Sequence, residues 1–190
     1  MKSAVFMIVA ILVMPLASGV SRAGDHPHQR SGFFIGFNVG AGSADIGFSD
    51  AEDTDREWGG NANFRLGGAL KNDLLLGAES SAWAKDEDGT TVSLSTITFD
   101  VTYYPDDLGF FLRAGIGFAT SSVEVDFGGG LTQTNDDTGF GLTAAMGYEW
   151  RLTGKFALGP QVEFAYLNVG GDVVDTANFF DATLGFNWYW

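Results

Sequence analysis

The segment GFFIGFNVGAG, residues 32–42, alternates with a period of two. Phe33, Ile35, Phe37, Val39 and Ala41 share one face, and Phe34, Gly36, Asn38, Gly40 and Gly42 share the other. Such a period belongs to a β-strand, whose successive side chains point to opposite sides. FFLRAGIGFA (110–119) splits the same way, with Phe110, Leu112, Ala114, Ile116 and Phe118 opposing Phe111, Arg113, Gly115, Gly117 and Ala119. So does GFGLTAAMGYEW (139–150), where Phe140, Leu142, Ala144, Met146, Tyr148 and Trp150 share one face. Eight strands are expected, near 32–42, 61–70, 74–84, 92–104, 109–125, 138–151, 156–167 and 178–190. Helical periodicity is weak and Gly is scattered through every candidate segment, so the chain reads as all-β.

Composition narrows the class. The 190 residues are 45% hydrophobic, 14% aromatic and only 18% charged, which excludes disorder and is unusual for a soluble surface. There is no Cys, so disulfide scaffolds, thiolate zinc sites and redox CxxC chemistry are excluded. A net charge of −14 argues against a nucleic-acid partner. Lys2 precedes an apolar run from Ala4 to Leu16, too short to span a bilayer as a helix, and small residues follow up to Ala23. Residues 1–23 are therefore expected to be a secretory signal peptide, residues 24–31 a polar periplasmic leader, and residues 32–190 the folded domain.

Short and long connections alternate along the chain. KND (71–73), PDDL (105–108) and LTGK (152–155) are tight turns, whereas longer polar stretches lie near 43–60, 85–91, 126–137 and 168–177. Short turns on one side and long loops on the other is the layout of a transmembrane barrel. One face of the strands carries Phe, Leu, Ile, Val, Tyr and Trp, and the other mostly Gly, Ala, Thr, Asn and isolated charges. A soluble barrel keeps its bulky apolar residues inside, but a narrow membrane barrel turns them to lipid. Aromatics gather at the turn ends, as an interfacial girdle does: Tyr103, Phe110, Tyr148, Trp150, Phe156, Trp188 and Trp190. The expected fold is an eight-stranded antiparallel up-and-down transmembrane β-barrel.

From Gly32 to Trp190 the chain resembles the small eight-stranded outer-membrane proteins of the OmpA and OmpX type, including opacity-like surface antigens. The last strand is the most specific element: Phe180, Ala182, Leu184, Phe186, Trp188 and Trp190 alternate into a terminal aromatic. In that family such an ending is read by the barrel-assembly machinery, so the resemblance implies an assembly signal at Phe186, Trp188 and Trp190. It also implies the outer membrane of a Gram-negative cell, contact with outer-membrane lipid and lipopolysaccharide, and a monomer.

Charges of inward parity are costly unless paired. Centring the KND turn on Asn72 pairs Leu70 with Leu74, Leu66 with Ala78, and Arg65 with Glu79. The PDDL turn pairs Tyr103 with Phe110 and Val101 with Leu112, so that Asp100 faces Arg113. Glu149, Glu163 and Asp181 share the inward parity, and Arg151 lies where it could neutralise Glu149. These charges are expected to form either a packed, satisfied core or a polar plug that gates a narrow pore.

Hydrolytic members of the outer-membrane barrels resemble one another in needing a His near the outer rim as general base. The two histidines here, His26 and His28, precede the first strand, so no enzyme activity is expected and neither a cofactor nor a catalytic residue is assigned. The outer connections are acidic: Asp50, Glu52, Asp53, Asp55 and Glu57 stand against Arg56, with Asp86, Glu87, Asp88, Asp136 and Asp137 beyond. They are either solvated loops or loops that hold divalent cations or steer partners. Trp58 is expected to pack on the barrel rim. Two functions stay open, a non-enzymatic structural or adhesive surface barrel acting through its loops and a narrow channel or small-molecule pore.

Overall fold

The computed structural model describes residues 29–48, 56–105, 108–126, 132–170 and 174–190. The expected signal peptide and most of the leader lie outside them. Eight long strands run β1 Gly32–Phe48, β2 Glu57–Lys71, β3 Leu74–Glu87, β4 Thr90–Tyr103, β5 Phe110–Asp126, β6 Thr132–Tyr148, β7 Phe156–Asn168 and β8 Val174–Tyr189. Beyond a break at Glu149, Trp150–Arg151 continues β6 for two residues against β7.

Every strand pairs antiparallel with its sequence neighbours, β6 pairs β7, and β1 pairs β8, so the sheet closes without an edge. The closure is staggered. A row of partners starting at Phe37 passes through Phe64, Ser80, Ile97, Phe118, Phe140, Asn168 and Thr176, and returns to β1 at Gly47, ten residues further along. Eight strands with that stagger tilt by about 40° and give a barrel radius of about 8 Å. Such a bore holds side chains and little else.

The burial follows the alternation. Phe118 (73% exposed), Ile97 (63%) and Val39 (57%) stand on the outer wall, where only a lipid environment accommodates so continuous an apolar belt. A belt about 25 Å tall needs roughly ten residues per tilted strand. The strands have 13 to 17, and the surplus lies at the end away from the termini.

Stretches expected to be polar loops are accordingly strand, and the first strand reaches residue 48 instead of 42. The β3–β4 connection shrinks to Asp88 and Gly89, both with positive φ (50° and 81°), the geometry of a two-residue hairpin turn whose twist suits the flanking strands.

Register also departs from expectation at two turns. Arg65 faces Glu79 and Leu66 faces Ala78, but Leu70 bulges out and Lys71 pairs with Leu74. Between β4 and β5 the register is shifted by two: Tyr103 pairs with Leu112, Val101 with Ala114, and Asp100 with Gly115 instead of Arg113. Tyr104 continues the inward parity of Asp100 and Thr102 past the end of the strand, is 2% exposed and donates its backbone N–H to the Asp73 carbonyl. The turn therefore consumes Tyr104–Gly109 and not four residues alone.

Candidate functional site

The lumen has three storeys. At the turn end, Phe34, Leu75, Tyr104, Phe111, Ala157 and Tyr189 form a buried apolar layer. At the other end, Ile46, Trp83, Leu94, Leu167, Val174 and Phe179 form a second, larger one with several small residues. Trp83 is fully buried and donates its indole N–H to the Gly42 carbonyl at 3.1 Å. Glycine opposite makes the room, since a Cβ on Gly59 would lie 2.6 Å from the Trp83 ring. The inward face, expected to be mostly small residues and isolated charges, carries large side chains at both ends, where they close the bore.

Between the layers lies a charged belt. Arg65 donates through Nη2 to Asp100 Oδ1 (2.8 Å) and to Thr102 Oγ1 (2.7 Å), while its Nε lies 3.4 Å from Glu79 Oε2. Arg113 reaches Glu79 with Nε at 2.8 Å and Nη2 at 3.0 Å, and Glu163 Oε2 with Nη2 at 2.6 Å. Asn63 donates to Glu79 at 3.1 Å and to Glu163 at 3.3 Å. The network is a chain, Asp100–Arg65–Glu79–Arg113–Glu163. It joins Asp100 to Arg65 and Arg113 to Glu79, not Asp100 to Arg113 as the expected register had it. Asp181 is fully buried directly across from Glu163, and neither of its oxygens accepts a hydrogen bond among the described residues.

A second charged hub adjoins the turn-end layer and shares Tyr104 and Tyr189 with it. Glu149, 1% exposed, accepts from Arg30 Nε at 2.9 Å, from the Tyr189 hydroxyl at 2.8 Å and from Asn187 Nδ2 at 3.4 Å. Its counter-ion is Arg30, whereas Arg151 donates to the Gln29 carbonyl and lies over the Tyr189 ring at 4.0 Å. Burial pushes the Tyr104 phenol up to about 12, with Glu149 adding to the shift and Arg30 opposing it. Burial works against the charge on Arg30, but Tyr104 and Glu149 outweigh it and raise its pKa. Arg30 carries no strand parity, so the alternation could not place it in the lumen. Buried charges among the described residues number four arginines and five carboxylates, a closer balance than the two bases expected.

On the outer wall at the turn end, Trp188 packs against Phe156 (ring centroids 4.9 Å apart) and Trp190 against Phe33 (6.1 Å), while Phe186 pairs in register with Phe37. At the other end, Lys85 bridges Glu57 (3.0 Å) and Glu87 (2.5 Å). Asp50, Glu52, Asp53 and Asp55 fall outside the described residues, among which no three metal-type side chains converge. Trp58 does not pack on the rim; it is 71% exposed on the outer wall of β2.

A search of curated proteins found no match. Among solved structures, Neisserial surface protein A superposes with a TM-score of 0.62 at 19% identity, over 84% of this chain and 98% of that one. The attachment invasion locus protein Ail of Yersinia pestis, solved with the heparin analogue sucrose octasulfate, superposes at 0.61 and 11% identity, over 82% and 99%. At such identities the likeness is one of fold. The model of the outer membrane protein beta-barrel domain matches residues 8–188, and the chain belongs to that family of bacterial outer-membrane barrels.

Proposed function

We propose that this protein is a non-conducting, non-enzymatic surface barrel whose structural or adhesive role is carried by its acidic outer connections. The observation that supports this most is the pair of apolar layers closing the lumen above and below the charged belt. An ion crossing the barrel would have to pass through both layers without solvation, at a cost that side-chain fluctuation alone does not offset. The channel alternative is correspondingly disfavoured. Ail was solved with a polyanionic sulfated sugar; here the outer connections are acidic, which favours a cationic partner, or lipopolysaccharide phosphates bridged by divalent cations. Phe186, Trp188 and Trp190 serve as the assembly signal in this reading. Planar-bilayer recording of the purified barrel tests it: no discrete conductance is expected, and stable unitary steps would replace the surface role by a pore.

A further inference from the structure

Arg30 is the least predictable of the buried charges, because it precedes the first strand and belongs to a polar segment. It is nevertheless 2% exposed, and two separate turns and the break in β6 contribute to its surroundings. Its Nε donates to Glu149 at 2.9 Å, its Nη2 to the Leu108 carbonyl at 2.7 Å, and its Nη1 to the Asn72 carbonyl at 3.5 Å. The carbon of the guanidinium lies 3.4 Å from the centroid of the Tyr104 ring. Every nitrogen of the fork has an acceptor, and one face of the plane has an aromatic partner. A planar, forked cation fits such a site; a compact ammonium cannot reach three acceptors spread around a plane and cover a ring at once.

The walls are held by contacts that do not involve Arg30. Glu149 is oriented by Tyr189 (2.8 Å) and Asn187 (3.4 Å), and its backbone N–H is anchored on the Gly109 carbonyl at 2.9 Å. Tyr104 is fixed through its N–H to Asp73 at 2.8 Å and through its hydroxyl, 3.3 Å from that of Tyr189. The side chain that fills the space enters from a segment joined to the barrel through Gly32, whose φ of +71° turns the chain from the strand into the mouth. A Cβ at that position would collide with the Trp190 carbonyl, so the turn depends on glycine.

We propose that the turn end of the barrel contains a preformed guanidinium-binding site, occupied by Arg30 as a tethered ligand that closes the mouth. With the tether absent, the same site takes a guanidinium supplied from outside, such as an alkylguanidine or the arginine side chain of a peptide.

Chemical rescue tests this in the full-length barrel. The chain has no cysteine, so Ala157→Cys, fully buried in the turn-end layer, supplies a single thiol probe. In the otherwise unchanged protein the thiol should resist a small water-soluble alkylating reagent. Adding Arg30→Ala should speed labelling by about tenfold or more, the scale on which a closed segment becomes locally open. Millimolar ethylguanidinium should restore protection to that variant, and ethylammonium should not. Arg30→Lys retains the charge and covers the case in which the alanine variant fails to fold; it should label faster than the parent and be protected by ethylguanidinium. Unchanged labelling in a folded Arg30→Ala variant, equal protection by the two cations, or full protection in Arg30→Lys would each overturn the proposal.

Discussion

The two ends of the barrel are sealed by different physics. The outer end is closed by apolar volume: Trp83, Leu94, Leu167 and Phe179 fill a bore whose facing positions are glycine and alanine. The turn end adds directed bonds to its apolar layer, with Arg30, Glu149, Tyr104 and Tyr189 joined across two turns, the last strand and a break in β6. Apolar packing tolerates substitution in proportion to the volume lost. A polar hub fails when one partner is removed and its counterpart stays buried.

The charged belt between them is the steepest case. Arg113→Met would leave Glu79 and Glu163 without their shared cation, and a loss of about 3–5 kcal/mol in unfolding free energy is expected from urea titration in detergent. Trp83→Ala should destabilise the outer end by a similar or smaller amount, about 3–4 kcal/mol, and Trp83→Phe by clearly less. If the alanine variant matched the phenylalanine variant, the outer layer would not be packed. Double-mutant cycles then sharpen the map of the belt. Arg65 with Asp100 should couple by more than about 1 kcal/mol, whereas Asp100 with Arg113, linked only through Arg65 and Glu79, should couple by less. The reverse result would restore the register first expected from the PDDL turn.

A pH dependence of the polar end is expected as well. Burial pushes the Tyr104 phenol up from its ordinary value of 10.0 to about 12. Below pH 10 both states keep the proton, so stability is unaffected. Between roughly pH 10 and 12 only the unfolded chain loses it, and stability should fall by up to about 2–3 kcal/mol. Tyr104→Phe should remove that part of the alkaline loss when the two proteins are compared by urea titration across the range. An identical alkaline loss in both would place the destabilisation elsewhere.

What the sequence discloses follows from which forces repeat along it. Lipid outside and a narrow bore inside both impose a period of two, so strand number, closure and the outward parity of Phe37, Ile97 or Phe118 are legible from alternation. A register is legible only if the turn is. KND places Arg65 opposite Glu79 because the bulge at Leu70 lies below that pair and leaves it undisturbed. PDDL misleads by two residues because the connection runs from Tyr104 to Gly109, beyond the four residues whose composition marks a turn. Trp83 has the right parity but the wrong size for a small-residue interior, and its fit depends on Gly59 of the neighbouring strand. Arg30 has no period at all. Its position is decided by acceptors on turns that are distant in sequence.

The Asp88–Gly89 turn has a practical consequence for display on this scaffold. Two residues with left-handed backbone complete that hairpin, and the strands stay paired up to it, from Glu87 opposite Thr90. A peptide grafted between them would have to unzip a ladder whose side chains line the mouth. The connections at 49–56, 127–131 and 169–173 are longer and start from strand ends already clear of the lipid belt. Foreign epitopes should therefore be tolerated there, with the β3–β4 hairpin left intact as the rigid post beside which they are presented.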